Sequence, residues 1–239
     1  MKVTRSLSLL CIVLFAVSGC STVNDHLSFE MGSQPLVYVD QWTRRDAPVV
    51  YVYPKDAAGM DPSVFFVPFR VTQKITNPEM IGYAEARSVY QTWLSMEIFS
   101  TMEFAPEQGP YRRDRALAMA RARGADLLVG GFVTYYLAGG STTESQLAIQ
   151  VEMYDTASGE LVCSMAQSAL MPARETKDYL LFATKTRLPG DPMQAMTRTM
   201  AEDMGKLLRG WFGSGSSDGS GGDTRQGRVE TRQNIRPSF

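Results

Sequence analysis

Gln146-Leu147-Ala148-Ile149-Gln150-Val151-Glu152-Met153-Tyr154 is the stretch that decides the fold class. Leu147, Ile149, Val151 and Met153 share one parity, and Gln150, Glu152 and Tyr154 share the other. Successive side chains of a strand point to opposite faces, so this pattern predicts a half-buried antiparallel strand. Asp155-Thr156-Ala157-Ser158-Gly159 follows as a hairpin loop with glycine at its end. Leu161, Cys163 and Met165 then resume the alternation. Upstream, Ala125 to Leu137 reads as a long strand with Leu127, Val129, Val133 and Tyr135 on one parity, and it turns at Gly139-Gly140. Three consecutive strands therefore form an antiparallel meander.

Helices flank the meander. Asn77-Pro78-Glu79 predicts a helix start: Asn caps, Pro occupies the first turn, and Glu suits the positive end of the dipole. This helix is expected to reach about Phe99, with Val89, Trp93 and Met96, joined by Tyr90 and Leu94, as its apolar face. Gly109-Pro110 breaks the chain, and a second helix rich in Ala and Arg runs from about Arg113 to Arg123. Gly124 ends it where a left-handed residue is needed. Asp191-Pro192 opens a closing helix whose stripe is Met193, Met196, Met200, Met204, Leu207 and Trp211. Before the first helix, Ser63-Val64-Phe65-Phe66-Val67-Pro68-Phe69 reads as a buried strand, and Met102-Glu103-Phe104 as a short one. Leu36 to Val39 and Val49 to Tyr53 are expected to pair as a hairpin or to form an extended arm. Met171 to Pro189, with Tyr179-Leu180-Leu181-Phe182 at its centre, is expected to be a short helix or docking loop. The whole is an α+β layout: a mixed sheet of about five strands with helices packed on it.

The ends read differently. Lys2 and Arg5 precede an apolar run from Leu7 to Val17, and Val17-Ser18-Gly19-Cys20 closes it. A basic start, a short apolar middle and small residues before the boundary describe a secretory signal segment. The cysteine placement resembles the bacterial lipobox. That resemblance implies that residues 1–19 are removed and that Cys20 carries the lipid, palmitate included. By analogy with lipoprotein sorting, Ser21 favours the outer membrane over the inner. Residues 20–35 then form the lipidated cysteine and its tether, 36–212 a single domain, and 213–239 a disordered Gly/Ser-rich tail.

Composition removes several kinds of chemistry. Loss of Lys2 and Arg5 leaves a charge of 22 − 25 = −3, which gives no reason to expect nucleic acid as a partner. Past the signal segment the cysteines are Cys20 and Cys163, so no disulfide framework is available. Cys163 alternates with apolar residues and reads as a small buried hydrophobe. The 1 histidine, His26, falls in the tether, out of reach of any structured pocket for triad or zinc chemistry. Glu202 and Asp203 are adjacent on the closing helix and read as part of a solvated face. No catalytic set, metal site or cofactor motif emerges, and the expectation is a non-enzyme with no cofactor.

Three segments resemble a known group. Phe65-Phe66-Val67-Pro68-Phe69 resembles its V-x-P-F first strand. Arg123-Gly124-Ala125-Asp126-Leu127-Leu128-Val129-Gly130-Gly131-Phe132-Val133 resembles its GAD strand. Tyr154-Asp155-Thr156-Ala157-Ser158-Gly159-Glu160-Leu161-Val162 resembles its D-x-x-[ST]-G-E hairpin. The group is the CsgG/PelC/TolB N-terminal-like periplasmic lipoproteins, and the segments occur in its order from about Val64 to Phe212. Cys163 departs from it, since many relatives carry tryptophan there, and the segment before Val64 is additional. The resemblance implies a TolB N-terminal/CsgG-like sheet and a non-enzymatic role in an envelope export or assembly complex, with other envelope proteins and further copies of the chain as partners. The alternative it implies is a regulatory binding module for an envelope enzyme such as a peptidoglycan synthase. A self-made pore is disfavoured: the Gly139-Gly140 connection is too short to add a membrane-spanning hairpin, and the other candidate, Met171 to Pro189, holds an apolar block flanked by Lys177, Lys185 and Arg187 in place of an alternation. The residues expected to touch a partner are Tyr179, Leu180, Leu181, Phe182, Arg113 and Arg121, the last two on an Arg-rich helix able to meet carboxylates.

Overall fold

A computed structural model describes residues 36–40, 42–55, 57–140, 142–179 and 182–213. The expected signal segment, Cys20, the tether with His26, and the tail beyond Gly213 lie outside the described residues.

The elements are, in order, β1 (Leu36–Asp40), β2 (Arg44–Arg45), β3 (Val49–Val52), β4 (Val64–Phe66), β5 (Arg70–Val71), α1 (Pro78–Ser95), β6 (Met102–Phe104), α2 (Arg113–Arg123), β7 (Leu127–Leu137), β8 (Ser145–Asp155), β9 (Leu161–Met171), β10 (Thr176–Asp178), β11 (Ala183–Arg187) and α3 (Pro192–Phe212). An 8-stranded mixed sheet runs β2-β9-β8-β7-β4-β6, with β3 added to β9 and β5 to β7. The fold class is α+β as the sequence predicts, with more strands than the expected five. The predicted meander is β7, β8 and β9, all antiparallel neighbours. β4 lies parallel to both β7 and β6.

Two bulges change which side chains reach the core. The β8–β9 ladder pairs Met153 with Cys163 but Tyr154 with Leu161. One residue is therefore skipped, and Leu161 turns out to solvent while Cys163 and Met165 are buried. In β7 the register shifts between Val133 and Tyr135, so Tyr136 packs against the core and Tyr135 is exposed.

α1 and α3 cover one face of the sheet. α1 begins where predicted, but Asn77 adopts a left-handed conformation (φ 53°) and makes no side-chain cap. The helix stops at Ser95, short of Phe99, because Glu97 is also left-handed (φ 52°). Leu94 is exposed, not part of the apolar face. Gly82 allows α1 to lie against β-region backbone: a Cβ there would stand 2.1 Å from the Phe69 carbonyl oxygen. α3 is capped as predicted, with the Asp191 carboxylate accepting from the Gln194 N–H at 3.1 Å. Its buried stripe is Met193, Met196, Met200 and Met204, then Leu208 and Phe212; Leu207 and Trp211 are only half-buried. From Met196 on, the buried positions advance by four residues at a time, along one i, i+4 ridge, so the stripe drifts off the 3.6 period that would hold Leu207 and Trp211 in it. Trp93 of α1, fully buried, donates its indole N–H to the Ala201 carbonyl of α3 at 2.9 Å.

α2 packs on the opposite face, where Ala116, Leu117 and Ala120 meet Phe65, Val67, Leu128 and Tyr154. Gly124 has the left-handed conformation predicted for it (φ 69°).

The N-terminal expectations are overturned. Leu36–Asp40 and Val49–Val52 do not pair with each other: β1 joins β11 and β3 joins β9. The 171–189 segment forms strands, not a helix, and its β10–β11 hairpin completes a separate 3-stranded sheet of order β1-β11-β10. Parallel pairing between distant segments leaves no local sequence signal, which is why β1 and its partner were not matched.

Candidate functional site

The small sheet carries two of the residues expected to touch a partner, Tyr179 and Phe182. β10 and β11 are antiparallel, with Asp178 opposite Ala183 and Thr176 opposite Lys185. The Tyr179 N–H donates to the Phe182 carbonyl at 2.8 Å and closes the hairpin tip. The two rings stack, 4.8 Å apart at 23°. Tyr179 is 48% and Phe182 39% exposed. Leu180 and Leu181 complete the apolar block in sequence and lie outside the described residues. Lys177 pairs with Glu175 at 3.3 Å, both solvated. The tip is therefore an aromatic point with basic residues behind it.

β1 runs parallel to β11, from Leu36 beside Ala183 to Asp40 beside Arg187. The chain thus enters the described fold right next to the tip. At the root of the small sheet, Trp42 (79% exposed), Arg187 and Leu188 border a depression of about 680 Å³ against α3.

Arg45 anchors this region to the main body. Its guanidinium bonds Asp203 of α3 at 2.6 and 3.2 Å. Gln167 of β9 donates to Asp203 at 3.1 Å and to the Asp46 carbonyl at 2.7 Å. The Arg45 hydrogen bond holds the Asp203 carboxyl below its ordinary range, and Asp203 in turn raises Arg45. The expectation of a solvated Glu202–Asp203 face is corrected: Asp203 is a half-buried structural anchor.

The two expected arginines fall elsewhere. Both sit on α2, on the opposite face of the main sheet from α3. Arg113 pairs with Asp114 at 3.3 Å in solvent and lies 5.9 Å from the Tyr154 ring centre. Arg121 donates through Nε to the Thr156 carbonyl and so holds the β8–β9 turn. The structure brings Tyr179 and Phe182 together and does not join the arginines to them.

One cluster was missed. On the α2 face, the Glu152 carboxylate accepts from the hydroxyls of Tyr111 (3.2 Å) and Tyr154 (3.1 Å) and from the Gln150 amide (3.3 Å). Gly130 makes room for Tyr111, whose ring a Cβ would meet at 2.3 Å. Burial, reinforced by Glu152, pushes both phenols up, so they stay protonated donors. Glu152 accepts three hydrogen bonds there, and the cluster braces the sheet against Tyr111. The parity of Gln150, Glu152 and Tyr154 was the available signal.

Cys163 is buried and its thiol is pushed up to about 12 by desolvation, which leaves it unreactive. Among the described residues no group of three or more His, Cys, Asp and Glu side chains is placed to hold a metal ion. Among the described residues, too, no helix is long and apolar enough to cross a membrane.

No protein-family model and no curated protein matches the chain. Solved structures similar to it include the PelC dodecamer from Paraburkholderia phytofirmans, at 15% identity over 70% of this chain and 97% of that one, with a TM-score of 0.44. The LpoB C-terminal domain from Escherichia coli is similar at 13% identity over 46% and 84%, with a TM-score of 0.29. A hypothetical protein from Chlamydia trachomatis is similar at 8% identity over 64% and 99%, with a TM-score of 0.38.

Proposed function

We propose that the chain is an outer-membrane-anchored periplasmic lipoprotein, lipidated on Cys20, that acts as a non-enzymatic component of an envelope export or assembly complex. The observation that carries this reading is the β1–β11 register. Leu36 pairs beside Ala183, next to Phe182, which supports a reading in which the tether and the aromatic tip face the same membrane surface. Lys177 and Lys185 stand behind the tip, where anionic headgroups or a partner's carboxylates are met. Residues 21–35, at about 3.5 Å each, reach at most about 50 Å, which keeps the domain near its anchor. A short tether suits a membrane-side assembly better than a module that reaches across the periplasm to an enzyme. Tyr179, Leu180, Leu181 and Phe182 are its contact residues; Arg113 and Arg121 serve a different face.

Palmitate labelling and membrane fractionation of the full chain test the anchor. Label is expected in the membrane fraction and lost in C20S; label retained by C20S ends the lipoprotein reading. Light scattering of the protein starting at Ser21 tests the assembly. A discrete multiple of the monomer mass supports it, and a monomer at high concentration moves the assignment to a partner-binding module.

A further inference from the structure

Between the first turns of α1, the start of α3 and the end of β7 lies a cleft of about 330 Å³. Its charged lining is two carboxylates, Glu85 and Asp191, with no Lys or Arg. Glu85 is 4% exposed, and among the described residues no cation pairs with it. A buried carboxylate has room for several donors, yet Glu85 receives one, from the Thr197 hydroxyl. That hydroxyl also lies 3.0 Å from the Met193 carbonyl. With Glu85 protonated, the chain Glu85 to Thr197 to Met193 is satisfied without a counter-ion. With Glu85 ionised, Thr197 must turn its single proton toward it, and the negative charge has no partner. Asp191, which caps α3, adds a second negative charge nearby. The remaining walls include Met80, Ile81 and Met193, apolar and flexible.

We propose that this cleft binds one ammonium or guanidinium group on an alkyl stem. Glu85 and Asp191 hold the charge, the Tyr136 hydroxyl accepts a hydrogen bond, and Met80, Ile81 and Met193 cover the methylenes. The source is either a free alkylamine or a Lys or Arg side chain of another protein. This inference is independent of the lipoprotein reading, because it concerns a cleft between α1, α3 and β7 and needs no membrane.

Binding has a signature that a merely structural Glu85 lacks. Desolvation, opposed by the Thr197 hydrogen bond and reinforced by Asp191, pushes Glu85 up to about 7. The groups facing it are Thr197 and Asp191 from α3 and Tyr136 from β7, whose phenol is itself raised by burial and by Glu85. A cation selects the ionised form, so its entry releases a proton near neutrality. The ionised fraction rises from about one tenth at pH 6 to about nine tenths at pH 8, so apparent affinity rises about tenfold.

The test is calorimetric titration of the full chain in detergent micelles with agmatine, in buffers of different ionisation enthalpy, and in parallel with acetyl-Gly-Arg-Gly-amide. One-site binding with proton release, about tenfold tighter at pH 8 than at pH 6, is expected. Agmatine binding without peptide binding assigns the cleft to free amines; peptide binding assigns it to a protein side chain. E85Q, which keeps a hydrogen bond to Thr197, is expected to lose both the pH dependence and at least tenfold in affinity. Its folding is checked by thermal melting at pH 6, and D191N, which keeps the helix cap, is expected to bind several-fold more weakly with the pH dependence intact. No saturable binding of either probe, or binding unchanged in E85Q or between pH 6 and 8, overturns the proposal.

Discussion

The two faces of the main sheet are covered by different means. On one, α1 and α3 meet β7, β8 and β9 through Trp93, Ile149, Val151 and four methionines, all buried. On the other, α2 packs over Phe65, Val67, Leu128 and Tyr154, and Tyr111, Glu152 and Tyr154 continue the surface as a hydrogen-bonded brace. The first face derives its stability from apolar burial, which is large and tolerant of direction. The second adds a few directional bonds around one carboxylate to a smaller apolar cluster, and those bonds are more easily lost to a change of shape.

Substitutions on the two faces test this contrast. W93A removes the largest fully buried side chain and the bond to Ala201, and is expected to cost about 3–5 kcal/mol in urea unfolding. If F132A on the other face cost as much, the contrast would collapse; Phe132 is half-buried, and about 1–2 kcal/mol is expected. Between them comes a pH effect seated in the first face. Glu85 is raised when folded, so its contribution is full at pH values below the ordinary carboxyl range and is lost as pH rises through about 7. The expected fall is about 3 kcal/mol, absent in E85Q, read from unfolding midpoints between pH 5 and 8. Asp203 is lowered, so its contribution is present above the ordinary carboxyl range and fades as pH falls below it. G130A forces the Tyr111 ring to move and is expected to cost about 1–3 kcal/mol. E175A, which breaks only the solvated pair with Lys177, should stay within about 0.5 kcal/mol.

The first face was largely legible in the sequence. Leu147, Ile149, Val151 and Met153 needed only a period of two, and the methionines of α3 a period near 3.6. What the pattern lost were single-residue slips: the bulges that expose Tyr135 and Leu161, and the drift that replaces Leu207 and Trp211 by Leu208 and Phe212. The small sheet was not legible. Tyr179 and Phe182 stack at the end of the β10–β11 hairpin, and in sequence such apolar residues imitate a buried segment. β1 finds its partner far along the chain, so nothing in its own residues announced the pairing. Glu85 was equally hidden, since a glutamate within a helix looks solvated until a second helix closes over it.

The Arg45–Asp203–Gln167 anchor has a mechanical consequence. A pull arriving at Leu36 from the N-terminal side travels along the axis of β1 and through the covalent chain to β2. It reaches Arg45, Asp203 and Gln167 before it reaches any core methionine. β11, paired with β1 from Leu36 to Asp40, shares that tension through the ladder between them. The anchor works as a strain relief on a cable: a tug on the N-terminal side meets the β1–β11 ladder and the polar contacts of Arg45, Asp203 and Gln167 before it meets the buried methionines of α3.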